Sequence, residues 1–364
     1  MSEAAPAAAA PAATAGRESE AGSPAAAPGP VTQGQITAHP DIELDAEDAS
    51  DNSEWEVASL ASSSTSVSQS LLNYRIENGR TYHRYKEGKY MYPNDEREVD
   101  RLDLQHLMYV LTFNHKLGTA PPNQPDSDVR RVLDCGTGSG IWAVEFGDDH
   151  PEAEVLGVDL SAAVPQYVPP NVQFMIDDVE EPWTYSRPFD YIHSRMMTSS
   201  INDWKAYLKQ CFDNLTPGGY LELNEIDVFP LSDDDTLKPD SALSRCMRMM
   251  SDASEILGHP FIDVRGLKDV MVEVGFEDVH IQRFKWPTNQ WAKDRKYKEL
   301  GFWGEENFAG NWEGIIMAPF TRALEWTREE VIVFSAEVRK DLKNKQIHAY
   351  FSVWSIYGRK PGGK

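Results

Sequence analysis

Cysteine is scarce in this chain: three in 364 residues, Cys135, Cys211 and Cys246. An odd, widely spaced trio makes no disulfide framework and suits a reducing compartment. No Cys/His pair has zinc-ligand spacing, so no metal is expected. Basic residues are short as well, 35 Lys and Arg against 58 Asp and Glu, for a formal charge of −23. That balance argues against direct nucleic-acid binding, which rests on Lys and Arg neutralising phosphates. The most basic segment, 339–345, is mixed in sign and reads as a solvated helix end rather than a targeting signal. No apolar run approaches the ~18 residues of a membrane span. The Ala-rich start lacks a basic n-region and is broken by proline, unlike a secretory signal. With no Gly at position 2 and a Gly-Gly-Lys end, no lipid anchor is expected. These absences together predict a cytoplasmic and/or nuclear protein.

Charge is unevenly spread. Residues 1–73 hold 11 acids and one base, a net −10, which leaves −13 for the remainder. Ala, Pro, Gly and Thr dominate 1–40, and Asp, Glu and Ser dominate 41–70. Neither stretch can bury enough apolar surface to offset its ordering entropy, so 1–73 is expected to be a disordered tail. About 290 residues remain, enough for one domain with insertions.

The richest signal is Val132-Leu133-Asp134-Cys135-Gly136-Thr137-Gly138-Ser139-Gly140-Ile141-Trp142. A buried strand ends in an acid, and three alternate glycines turn the chain into a helix. Such a turn exposes backbone N–H groups and admits a ligand where a Cβ would clash. A second strand, Val155-Leu156-Gly157-Val158, ends in Asp159, 23 residues past Gly136, about where a ribose needs an acceptor. Leu160 follows it. A third strand, Val172-Gln173-Phe174-Met175-Ile176, leads to Asp177, Asp178 and Val179. A carboxylate there, Asp178 first and Asp177 second, can accept from an adenine amino group while the next N–H donates to the ring. Phe189-Asp190-Tyr191-Ile192 makes a fourth strand ending at His193-Ser194-Arg195. A helix over about 202–214, a Pro-Gly-Gly turn and the strand Tyr220-Leu221-Glu222-Leu223 complete the order of a doubly wound α/β sheet.

Two glycine frames compete. A dinucleotide reading, Gly138, Gly140 and Ala143, delays the first glycine well past the strand. D-x-G-x-G-x-G from Asp134 fits better and is the pattern of S-adenosylmethionine (AdoMet) methyltransferases. On that frame the cofactor-binding candidates are Asp134, Gly136, Thr137, Gly138, Gly140, Asp159, Leu160, Asp177, Asp178 and Val179, with His193 and Ser194 at the fourth strand's end.

The chain resembles the class I AdoMet-dependent methyltransferases, and within them the fungal LaeA-like branch. The upstream blocks carry that closer likeness: Tyr74-Arg75-Ile76-Glu77-Asn78-Gly79-Arg80, Tyr90-Met91-Tyr92-Pro93-Asn94-Asp95-Glu96 and Asp100-Arg101-Leu102-Asp103-Leu104-Gln105-His106. Trp183, Gly275-Phe276 and the end through Gly358-Arg359-Lys360-Pro361 fit too, so the likeness covers about 74–361. It implies a Rossmann-like, mostly parallel sheet with an N-terminal lid and cap insertions. It also implies AdoMet as cofactor and a role in secondary metabolism, with either a small natural product or a protein as acceptor. The alternative is a cofactor-binding regulatory scaffold that seldom catalyses, held by a protein partner. One departure is Pro287-Thr288-Asn289-Gln290-Trp291-Ala292-Lys293-Asp294, where members often carry P-x-G-x-W-P-x-D in a substrate-side loop.

The expected organisation is a lid segment and helix over 74–126 and a core over 127–364, with insertions near 230–262 and 286–326. The five tyrosines of 74–92 suit a flap over the cofactor cleft or a surface-packed arm. Asn94 or Asp95 starts a helix. On it Glu98, Arg101, Leu102 and Gln105 share a face, where Arg101 either holds the cofactor carboxylate or pairs with Glu98. A Met-rich helix, 241–257, and the aromatic stretch 286–326 read either as core or as an adaptable apolar pocket. A general base is needed only for a protonated nucleophile; the candidates are His193, Glu225, His83 and Tyr85.

Overall fold

The computed structural model describes residues 74–161, 165 and 167–362. The expected tail, 1–73, lies outside the described residues. The described chain opens with β1 (Arg75–Glu77) and β2 (Arg80–Tyr82), an antiparallel pair. Asn78 and Gly79 close it with φ of +51° and +81°, the two positive angles that a tight hairpin turn requires. Helix α1 (Glu96–Thr112) follows. Its N-cap is Asp95, which accepts from the Glu98 N–H at 3.2 Å and also pairs with Arg80, tying the hairpin to the helix start.

The main sheet has seven strands: β3 (Arg131–Cys135), β4 (Glu154–Asp159), β5 (Val172–Ile176), β6 (Phe189–Arg195), β7 (Leu215–Ile226), β8 (Glu277–Pro287) and β9 (Tyr350–Arg359). Their order is β5-β4-β3-β6-β7-β9-β8. The first five pair in parallel, while β9 runs antiparallel between β7 and β8. Strand order reverses between β3 and β6, and the crevice at such a switch point is where ligands bind in open α/β sheets.

Alternation along the strands feeds two cores. Leu133 and Ile192 join a cluster with α3 (Trp204–Asp213) and α5 (Leu267–Val274). Their neighbours Val132 and Tyr191 face the opposite side, with α2 (Ile141–Asp149). A parallel sheet covered on both faces accounts for the near-continuous apolar runs. A third cluster joins α1, α4 (Ala242–Ile256), α7 (Trp312–Ala323) and α8 (Arg328–Lys343). The last two follow α6 (Arg295–Gly304) and a π-helical turn, Glu305–Ala309, all between β8 and β9. The sheet end is therefore antiparallel without a tight hairpin. The Pro-Gly-Gly segment, read as a turn, is the first part of β7, with Gly218 at φ +87°.

Candidate active site

The glycine turn follows β3. Gly136, Gly138 and Gly140 have φ of +69°, +59° and +79°, angles that strain any residue with a Cβ. Of the N–H groups expected to be free there, those of Gly136, Thr137 and Gly138 are taken up by the end of the neighbouring strand. Gly136 and Thr137 donate to the Val158 carbonyl at 2.8 and 3.0 Å, and Gly138 donates to Asp159 Oδ2 at 2.9 Å. What the turn offers is space. A Cβ on Gly136 would lie 2.4 Å from Met197 Sδ, and one on Gly138 3.2 Å from Leu102 Cδ1.

Both Met197 and Leu102 line a cavity at the carboxyl ends of the parallel strands. Gly136, Thr137 and Gly138 form one wall. Asp159 and Leu160 come from the end of β4, and Asp177, Asp178 and Val179 follow β5. Arg195, Met196 and Met197 come from the end of β6, and Glu98, Leu102 and Gln105 from α1. His83, Lys89, Tyr90 and Asn94, from the arm between β2 and α1, complete it. Asp159 also accepts from the Ser161 N–H at 2.9 Å, and burial raises its pKa to about 6. Asp178 is buried and paired with Lys89, which also reaches Glu180 at 3.2 Å. Lys86 meets Glu181 at 2.6 Å. The arm is thus pinned by two lysines to the loop after β5.

Several expected site residues stand behind this wall. Asp134 is buried, accepting from Thr137 Oγ1 at 2.5 Å and from His193 Nδ1 at 2.7 Å. It fixes the turn rather than facing the cavity. His193 stacks on Trp142 at 3.8 Å, and its Nε2 lies 3.4 Å from Asn224 Nδ2. With both nitrogens occupied and 1% exposure, His193 is corrected as base and as cofactor contact. Ser194 is fully buried, and Gly140 lies at the start of α2, where a Cβ would strike Phe174. Neither lines the cavity. Glu225 is also fully buried; Oε1 accepts from the Met197 N–H at 3.0 Å, while Oε2 has no partner. Burial raises its pKa to about 8, and it supports Met197 from behind instead of reaching the cavity. Tyr85 lies on neither cavity wall.

His83 is on the wall and 3% exposed. Its Nε2 lies 3.3 Å from the Lys86 carbonyl, which can only accept, so Nδ1 carries the lone pair. Nδ1 has no partner, and burial lowers the ring's pKa.

Arg101 proves to be Glu98's partner, with Nη2 at 2.8 Å from Oε1, and does not line this cavity. Two cations do, Lys89, which Asp178 holds, and Arg195. Arg195 differs in its partners. Its Nη1 lies 3.2 Å from His106 Nδ1, and its guanidinium carbon lies 4.9 Å from the Tyr109 ring centroid. Among the described residues no carboxylate pairs with it. Sequence reading reached Arg195 only as the end of a strand; nothing local distinguishes it from Arg101.

A second cavity adjoins the first, with Tyr90, Leu102, Gln105 and Met196 on both walls. Arg101 lies on this one, as do Met247 and Met250 of α4 and Phe308, Trp312 and Ile315 from the 286–326 stretch. The segment that departs from the family pattern stays away from both. Thr288 and Asn289 are fully buried, and Asn289 Nδ2 holds the Leu342 carbonyl at 2.9 Å. The segment anchors α8 and β9 rather than forming a substrate-side loop.

A family model described as a methyltransferase domain matches residues 107–281. The chain is 41% identical over 301 residues to methyltransferase pytC of Aspergillus terreus, spanning 82% of this chain and 92% of that one. It is 36% identical to the secondary metabolism regulator LAE1 of Cochliobolus heterostrophus, over 79% and 95%. The chain belongs to the LaeA-like methyltransferase family. Members include both methyltransferases and regulators of secondary metabolism. A Haemonchus contortus phosphoethanolamine N-methyltransferase 2, solved with S-adenosyl-L-methionine, matches with TM-score 0.42 and 15% identity, over 76% of this chain and 56% of that one. The matched family model and the mostly parallel seven-stranded sheet give this chain the methyltransferase fold.

Proposed function

We propose that the chain is an AdoMet-dependent methyltransferase of secondary metabolism, with AdoMet in the first cavity. The observation that carries this reading is the convergence on one cavity of the glycine turn, Asp159, Asp177–Asp178 and the unpaired Arg195. The residues fit such a ligand. The turn leaves a cradle that a Cβ would fill, Asp159 is a half-buried acceptor placed for a diol, and Arg195 is a half-buried cation with no carboxylate partner among the described residues. Arg195 lines the cavity without a carboxylate partner, whereas Arg101 is held by Glu98 off this wall, so Arg195 is assigned to the methionine carboxylate in place of Arg101. Asp177 and Asp178 take the adenine side, with Lys89 holding Asp178 in place.

Bound AdoMet supplies a methyl carbon made electrophilic by its sulfonium. The protein's share is to align the acceptor and keep water out. The arm from His83 to Asn94 covers the cavity, and Lys89 and Lys86 keep it down. His83 is the imidazole on the wall able to take a proton, at Nδ1, since burial keeps the ring neutral.

The test is calorimetric titration with S-adenosylhomocysteine, followed by incubation of methyl-labelled AdoMet with purified protein and a small-molecule extract of the source organism. Saturable binding with label in small molecules supports the enzyme. Binding with no label in small molecules or protein moves the reading to the cofactor-binding scaffold, and absence of binding overturns the cofactor assignment.

A further inference from the structure

The second cavity is a pocket of a different chemical kind. Met250, Trp312 and Phe308 are at most 6% exposed, and Ile315 and Phe351 extend the same apolar lining. Methionines on one helix face adapt to an irregular ring system, and aromatic rings offer it faces and edges. Only one charged side chain lines the pocket, Arg101, and it is a cation held by Glu98. No carboxylate stands on this wall. An ammonium entering here meets a like charge and no counter-ion on the wall. The uncharged polar side chains on the wall are Tyr90, Tyr92, Gln105, Thr198 and Ser199. Tyr90 and Gln105 stand on the wall shared with the first cavity. Tyr90 makes no hydrogen bond among the described residues, and its ring lies 6.1 Å from that of His83. A ligand here therefore buries an apolar body among the helices and presents a polar group toward the first cavity.

We propose that this second cavity is the methyl-acceptor site, and that its acceptor is an apolar, ring-bearing small molecule with a phenol or enol oxygen, not an amine. The inference rests on the cofactor reading of the first cavity. An acidic hydroxyl is required because the pocket offers no carboxylate and the imidazole of His83 on the adjoining wall, its pKa lowered by burial, is too weak a base for an ordinary alcohol. The transfer forms one oxygen–carbon bond, breaks one sulfur–carbon bond whose electron pair stays on sulfur, and passes the hydroxyl proton to His83 Nδ1, on the adjoining wall, and from there to water.

The experiment compares two probes of matched ring and opposite head group, 2-naphthol and 2-naphthylmethylamine, titrated calorimetrically into the full chain with and without S-adenosylhomocysteine. Naphthol is expected to bind saturably and the amine at least about tenfold more weakly. Ile315→Trp and Val228→Phe fill the pocket from half-buried positions. Each should weaken naphthol at least about tenfold while S-adenosylhomocysteine binding, which also reports folding, stays within about twofold. Equal or tighter binding of the amine overturns the proposal, as does naphthol binding unchanged in both variants. The probe comparison on the unsubstituted chain decides the matter even if neither variant folds. A chain that takes naphthol but not S-adenosylhomocysteine overturns the cofactor reading alone. One that takes S-adenosylhomocysteine but not naphthol overturns this proposal alone.

Discussion

The two adjoining cavities are built by opposite means. The first is walled by strand ends and a glycine turn, with its shape set by backbone angles and main-chain hydrogen bonds and its lining rich in charge. The second is walled by side chains of α1, α4 and α7 together with the segments that follow β6 and β7, is mostly apolar, and owes its shape to packing. A ligand whose chemistry never changes suits a site fixed by the main chain. One that differs between relatives suits a site that side-chain substitution can remake without disturbing the sheet. Where the two meet, α1 supplies both: Leu102 and Gln105 face each cavity.

The sharpest way to separate them is Gly136→Val. The new Cβ requires φ of +69° and collides with Met197. Affinity for S-adenosylhomocysteine should fall at least about 100-fold, the scale of backbone strain plus a blocked cradle. Naphthol binding in the second cavity should change little. If both probes are lost in a variant whose circular dichroism is unchanged, the cavities are not independent.

Arg195→Leu tests the charge assignment. Removing the cation opposite a carboxylate should weaken S-adenosylhomocysteine about 10–100-fold, the usual worth of a charged hydrogen bond. Adenosine, which has no carboxylate, should bind the variant and the parent alike. Equal losses for both ligands in calorimetry would move the carboxylate elsewhere.

Acidity should affect the first cavity alone. Burial raises Asp159 to about 6, from an ordinary value of 3.8. A diol binds the ionised form, so affinity is complete above pH 6 and is lost as pH falls through it, by up to about tenfold per unit. The same raised value makes ionised Asp159 a burden on the free protein, so stability falls as pH rises from 3.8 to about 6. Asp159→Asn should flatten the binding profile, and naphthol affinity should be flat across the window.

The smallest effect is expected from the arm. Lys89→Met removes the partner of buried Asp178 and one of two pins on the flap. Stopped-flow release of S-adenosylhomocysteine should be about threefold to tenfold faster. An unchanged rate would mean that the arm does not gate the cofactor.

Much of the first cavity was legible because local chemistry dictates it. Three alternate glycines after an apolar strand leave few backbone options, and the acids ending β4 and β5 follow from strand length. The hairpin at Asn78-Gly79 was legible as well but went unread, although that dipeptide is the strongest short hairpin signal. The second cavity was readable only as a choice between core and pocket, because Met247 and Trp312 are buried either way.

Sequence alone determined the parallel sheet, the turn, the acids at the strand ends and the family. Those follow from periodicity, from the angles glycine permits and from how far each strand extends before its polar end. Only the tertiary structure decided which neighbour faces the ligand. Along β6, His193 is locked behind the wall by Asp134 and Trp142, while Arg195, two residues on, reaches the cavity because the strand ends there. On α1, Arg101 turns to the second cavity while Glu98, three residues earlier, lines the first. Sequence order records that these side chains are near one another. Which side of the wall each occupies depends on what the neighbouring strands and helices fill first.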